Sequence, residues 1–263
     1  MRRARFGPWR RAAQAAVALG YLALPFLGDP HLTGTLVALK LGPVDLVEPA
    51  AALGALLAAG GAPLALALAV LPPVALAVAL GPVYCGWVCP WGALAEGIDR
   101  LRARGARRPP GPTAARPRAR LAWLLGLLAA GALAGVPLAA VLSPPRLATV
   151  LPLEAFSARA LPVATGALLL AFLGLELLGP RRLVCRVLCP AGAAVALLRT
   201  RATWGPRFRS EACRCGAAAA SPCREACPLG LDPRALALLD GCTSCMACVD
   251  RCPSAALVAL RRR

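Results

Sequence analysis

Cys242-Thr243-Ser244-Cys245-Met246-Ala247-Cys248-Val249-Asp250-Arg251-Cys252-Pro253 reads C-x2-C-x2-C-x3-C-P. Three thiolates at this spacing can wrap three corners of one iron–sulfur cubane. The fourth, set off by three residues and followed by proline, turns away toward a second cubane. Small residues between the cysteines let backbone N–H groups approach the cluster sulfurs. A four-cysteine zinc knuckle is the alternative, but such knuckles seldom place a third cysteine two residues on and end in Cys-Pro.

A looser partner run lies upstream: Cys213-Arg214-Cys215, seven residues, then Cys223-Arg224-Glu225-Ala226-Cys227-Pro228. The Cys223-x3-Cys227-Pro half matches, whereas the front half has C-x-C where C-x2-C is usual. With crossed ligation, one [4Fe–4S] cluster uses Cys242, Cys245, Cys248 and Cys227. The other uses Cys213, Cys215, Cys223 and Cys252, and Cys252 otherwise has no use. Residues 205–263 are therefore read as a bacterial ferredoxin-like domain with two [4Fe–4S] clusters.

Further outward the chain repeats itself at a spacing near one hundred residues. Leu80-Gly81-Pro82-Val83-Tyr84-Cys85-Gly86-Trp87-Val88-Cys89-Pro90-Trp91-Gly92 is followed by Leu178-Gly179-Pro180-Arg181-Arg182-Leu183-Val184-Cys185-Arg186-Val187-Leu188-Cys189-Pro190-Ala191-Gly192. Each copy places C-x3-C-P-x-G after an apolar run and before a basic amphipathic stretch, which predicts two pseudo-symmetric helical hairpins. The repeat units cover residues 30–105 and 140–200, joined by the Arg/Pro/Gly-rich connector Arg102–Arg120. At i, i+4 on a helix, Cys85 and Cys89 share a face, and so do Cys185 and Cys189. The pairs can act as redox dithiols, bind copper(I), or pool four thiolates around a further metal or cluster. These alternatives stay open at the level of sequence, beside the plainer account of cysteine as a small buried hydrophobe.

Apolar runs decide the expected fold class. Hydrophobic residues make up 59% of the 263, and the mean hydropathy is +0.65. Four runs, Ala12–Leu27, Pro63–Leu80, Leu121–Leu142 and Leu161–Leu178, approach the ~20 residues needed to cross a bilayer. The expectation is an α-helical polytopic membrane protein, with four transmembrane helices in residues 1–200 and the ferredoxin-like domain beyond. Pro49–Ala62 is shorter and is read as a helix at the outer interface. No clear small-residue cleavage site follows the first run, so it is read as a retained anchor rather than a signal peptide.

The net charge of +18 points to nucleic acid or a membrane surface. Alternation of the charges with apolar runs favours the membrane. Arg and Lys number 27 in residues 1–11, 85–120 and 179–263 together, against Lys40, Arg146 and Arg159 elsewhere. The excess of positive charge puts both termini and all twelve cysteines on the cytoplasmic side of a bacterial inner membrane. That compartment is reducing, which argues for metal ligation over disulfides.

One histidine, His31, and two methionines, Met1 and Met246, exclude bis-His haem. No Cys-x-x-Cys-His is present for c-type haem, and no P-loop, dinucleotide fingerprint or Ser–His–Asp set supports other chemistry. His31, Asp45 and Glu48 fall in the expected outer loop, where they can take protons from a quinol or simply be solvated. Glu176, near the end of the fourth run, is an intramembrane acid or a group reaching the interface beside Arg181 and Arg182.

The two C-x3-C-P elements followed by the ferredoxin-like tail resemble the NapH-type membrane ferredoxins. That group is similar to the membrane half of nitrous-oxide-reductase regulator proteins and to the cytochrome-oxidase assembly ferredoxins. The resemblance implies cytoplasmic clusters, quinol oxidation and delivery of electrons to a redox partner protein, as in the electron-transfer subunit of a quinol dehydrogenase-type system. The alternatives are a copper-handling assembly factor using Cys85, Cys89, Cys185 and Cys189, and a structural zinc scaffold.

Overall fold

The computed structural model describes residues 6–27, 32–35, 37–61, 63–105, 117–158, 162–215 and 221–260. Helix α1 (Phe6–Leu27) is followed by three short antiparallel strands, β1 (Leu32–Gly34), β2 (Ala38–Leu41) and β3 (Val44–Val47), with Thr33 opposite Lys40 and Lys40 opposite Asp45. Helices α2 (Pro49–Ala59) and α3 (Leu64–Leu80) lead to a π-helical turn, Tyr84–Val88, and then α4 (Pro90–Gly105). After α5 (Pro117–Ala134), α6 (Leu138–Val141) and α7 (Pro144–Ala158), the same order recurs: α8 (Val163–Leu178), a π-helical turn over Val184–Leu188, and α9 (Pro190–Leu197). The tail runs through β4 (Gly205–Phe208), α10 (Pro222–Glu225), α11 (Ala247–Arg251) and β5 (Leu257–Leu260). Strands β4 and β5 pair antiparallel, Phe208 opposite Leu257, so the two ends of the cysteine-rich tail are tied together.

The expectation of four transmembrane helices is overturned. Among the described residues, no helix is long and apolar enough to cross a membrane. Each run fails for its own reason. Helix α1 has 22 residues but takes in Arg10, Arg11 and Gln14. Helices α3 and α8 have 17 and 16 residues, or roughly 24–26 Å at ~1.5 Å per residue, against a core of ~30 Å. The third run is cut: α5 begins over Arg118 and Arg120, and the chain turns at Gly135, whose φ of 64° is left-handed, before Pro137.

The first turn of α2 is buried inside the molecule, while Leu53 and Leu57 of the same helix are exposed. Ala50 of α2 is buried with Leu124 and Leu128 of α5, Ala139 of α6 and Ala193 of α9. Small side chains on α2 and α9 permit this close approach. Glu48 caps α2, accepting the N–H groups of Ala50 and Ala51 at 3.0 Å each. It is buried rather than solvated, while His31 lies outside the described residues. Burial raises the Glu48 carboxyl to about 7, although the Ala50 and Ala51 N–H groups pull the other way. A carboxyl raised on folding adds stability that is full below its unfolded value near 4.5 and is lost as pH climbs through about 7. Relative to Glu48→Gln, the wild-type chain is therefore expected to lose on the order of 3 kcal/mol between pH 4.5 and 7. Thermal unfolding of both chains across that range checks this; parallel profiles would refute it.

The tail docks on α1 and the first repeat through specific bonds. Asp250 of α11 accepts the N–H groups of Phe6 and Gly7 at 2.9 and 2.8 Å, which satisfies free donors at the start of α1. Trp87 donates from Nε1 to the carbonyl of Ser244 at 3.1 Å. Phe6 meets the rings of Trp87 and Trp204 edge-on.

Candidate iron–sulfur centres

None of the twelve cysteines is in a disulfide, and they are taken here in three sets of four. In the first, Cys227 is pushed up to about 12 by burial, then by the neighbouring charges of Cys245 and Cys242, against N–H groups of Leu231 and Leu229. Cys248 is raised by burial, then by Cys242, Cys245 and Cys227. The loop that carries three of these sulfurs bends through left-handed residues at Gly241, Ser244 and Met246 (φ 72°, 49° and 58°). Such a backbone costs of order 1–3 kcal/mol at each non-glycine residue. Ser244 and Met246 are 0% and 1% exposed, so packing holds the shape. Left-handed turns of this kind gather N–H groups into anion-binding concavities, which suits a thiolate-ligated cluster.

In the second group, Cys223, Cys252 and Cys213 pack in one cluster with Cys248, Ala256 and Leu257. Cys215 joins them: its thiol is raised by partial burial, then by Cys213, Cys223 and Cys252. Cys252 is lowered overall. Burial pushes it up, but the N–H of Leu257, the Ser254 hydroxyl and the N–H groups of Ser254 and Ala256 outweigh that. Backbone donors aimed at a sulfur are what a thiolate ligand needs.

The third group holds Cys85, Cys89, Cys185 and Cys189, which line one cavity. Each pair sits on a π-helical turn rather than an α-helical face. Cys89 donates its N–H to Tyr84 O and Cys189 to Val184 O, both at 2.8 Å and five residues back. The prolines that follow explain the geometry, since a residue before proline is pushed to extended backbone, as Cys89 (ψ 119°) and Cys189 (ψ 110°) are. Side chains from other helices hold both turns: Gln14 donates to Gly86 O at 3.1 Å and Trp123 to Leu188 O at 2.7 Å.

Sequence reasoning missed the charged frame around this group. Arg182, left-handed at φ 59°, donates to Asp99 at 2.7 Å and to Gly92 O at 3.1 Å, tying the second repeat to the first. Arg120, read as connector charge, is buried against Gly192 and Gly241. Glu176 does not reach an interface. It is 1% exposed and accepts the Val184 N–H at 3.1 Å, at the start of the second π turn. The Arg181–Arg182 pair beside Asp99 carried the only sequence signal, a double arginine before a cysteine.

Residues 62–109 and 161–208 each match the 4Fe-4S binding domain family. No curated protein and no solved structure matches the chain. The two matched segments and the cysteine supply support two [4Fe–4S] clusters and iron–sulfur electron transfer, and are consistent with a ferredoxin-type protein. Among the described residues, no group of three or more His, Cys, Asp or Glu is placed to hold a single metal ion. With bonds of ~2.3 Å, four thiolates on one tetrahedral ion stand about 3.8 Å apart. A cubane takes one thiolate at each iron corner and asks for a wider set.

Proposed function

We propose that the chain is an electron-transfer subunit of a quinol dehydrogenase-type system, similar to the NapH-type ferredoxins. It works against the cytoplasmic face of a bacterial inner membrane and passes electrons between the quinol pool and a redox partner protein. Cys242, Cys245, Cys248 and Cys227 hold one cluster; Cys213, Cys215, Cys223 and Cys252 hold the other. When bound, such clusters exchange single electrons at low energetic cost. The chain's residues position them: Asp250 ties the tail to α1, Trp87 ties it to the first repeat, and the N–H groups around Cys252 stabilise its thiolate.

The observation that carries the reading is the apolar surface that the helices of the two repeats leave open. Leu64, Val163 and Leu178 are 74%, 81% and 83% exposed, and Leu68, Leu71, Leu76, Leu133 and Leu170 lie open as well. Exposed apolar surface on this scale marks a membrane or partner contact, where an apolar quinol can be met. The test uses anaerobically purified protein, a soluble quinol and the visible absorption of the clusters. Bleaching by quinol, reversed by an oxidised quinone, is expected. Bleaching by dithionite alone, with none by quinols of graded potential, would refute the reading.

A further inference from the structure

We propose that Arg199 and Arg120 are positioning residues for the cluster on Cys227, Cys242, Cys245 and Cys248: two buried guanidinium groups, set against the loop that carries Cys242, which favour the reduced state of that cluster. This rests on the ligand set given above and not on the quinol.

Both arginines are buried, each 8% exposed. Among the described residues neither forms an ion pair with a carboxylate. Nε of Arg120 and Nη1 of Arg199 have no hydrogen-bond partner. Arg182, buried to a similar degree, is by contrast matched by Asp99. Arginine keeps its proton inside proteins, so neither charge is lost by titration. A buried charge left uncompensated is costly, and an anion close by is what offsets it.

Both guanidinium groups reach the same loop. Arg120, on α5, packs against Gly241, the residue before Cys242. A side chain at Gly241 would run into its Nη1 and stand 3.2 Å from its Cζ. Gly192, near the start of α9, leaves it room as well, since a Cβ there would lie 2.7 Å from Nη2. Arg120 also lines one cavity with Thr243 and Cys245 of the loop. Arg199, just past α9, meets the loop beside Gly205: a Cβ on Gly205 would stand 3.6 Å from Arg199 Nη2 and 3.5 Å from Ser244 Oγ. Burial raises the Cys242 thiol, and the Arg199 charge is the largest influence the other way. Asp240, a carboxylate near Cys242, accepts the N–H of Ala237 instead of pairing with either arginine.

The sign follows from charge. A cubane held by four thiolates is an anion, and its reduction adds one electron and no proton. Fixed positive charge in a low-dielectric surrounding stabilises the more negative state, so the potential rises. Cluster potentials respond to net charge and to hydrogen bonds at sulfur, and the unpartnered N–H groups of these arginines can donate there.

Redox titration of the anaerobically purified full chain, followed by EPR, tests this. The signal that Cys242→Ser alters identifies the cluster. Arg199→Met is expected to move its one-electron equilibrium about tenfold toward the oxidised state, ~59 mV lower. Arg120→Met is expected to act in the same direction. Arg199→Lys keeps the charge and is expected to hold the potential. Arg201→Met is expected to hold it too, because that arginine is exposed and screened by water and salt. Should Arg199→Met fail to retain iron, retention by Arg199→Lys supports the role of the charge, and loss from both overturns the proposal. A wild-type potential in Arg199→Met overturns it, as does an equal fall in Arg199→Lys. An EPR signal that Cys242→Ser leaves unchanged refutes the ligand set instead.

Discussion

Gly86→Ala is expected to weaken the docking of the tail by about 1–3 kcal/mol, the usual cost of forcing extra volume into a packed contact. The added Cβ would stand 2.5 Å from the carbonyl oxygen of Thr243 and 3.3 Å from Cys245 Cα. Both neighbours are backbone, so no side chain can swing aside. The loop itself resists movement, since Ser244 and Met246 are already left-handed and fully buried. The variant should therefore bind iron less tightly, lose the Trp87–Ser244 bond and expose Cys245 to alkylation. Iron retained under a chelator, Trp fluorescence and the alkylation rate of Cys245 are the measurements. Gly97→Ala is the control: a Cβ there meets nothing within 4 Å, and helix propensity predicts a gain of up to ~1 kcal/mol. Equal iron retention in the two variants would remove the argument.

The chemistry was more legible than the architecture. Ligand spacing is local, and a cubane demands thiolates within a few residues of one another, so C-x2-C-x2-C-x3-C-P can be read directly. In the structure Cys227 and Cys248 neighbour Cys242 and Cys245, and Cys215 neighbours Cys213, Cys223 and Cys252. The helices were harder, because an apolar run reports what is removed from water and not what removes it. Leu121–Leu142 reads as one run, yet Gly135 and Pro137 end α5 and start α6. Ala50, Ala193 and Ala139 are apolar because helices pack there at close range. The π turns left no periodic signature, since five residues are too few to show one. Arg120 and Glu48 were misread for a different reason: a charge in a sequence looks solvated until its surroundings are known.

Asp99→Ala is expected to be the most damaging single change in the first repeat, lowering stability by about 3–5 kcal/mol. Asp99 lies on α4 with its side chain 7% exposed, and it accepts from Arg182 at 2.7 Å and Arg181 at 2.9 Å. Arg182 is itself buried, its side chain 9% exposed, and it also bonds Gly92 O and the Cys185 sulfur. Removing the carboxylate strands a desolvated guanidinium beside the cavity lined by Cys85, Cys89, Cys185 and Cys189, and the cost is that stranded charge rather than the pair's own net worth. Arg181, at 37% exposure, can turn to water and adds little. The distinction is testable with a double-variant cycle. Asp99→Ala/Arg182→Met removes both charges, fills space with an apolar side chain, and is expected to recover most of the loss. Asp99→Ala/Arg181→Met is expected to recover almost none. Chemical unfolding of the wild type, the single variants Asp99→Ala, Arg181→Met and Arg182→Met and the two double variants, read by Trp fluorescence, gives the coupling energies. Equal recovery from the two second changes would mean that Arg182 is not the stranded charge, and that the tie between the repeats lies elsewhere.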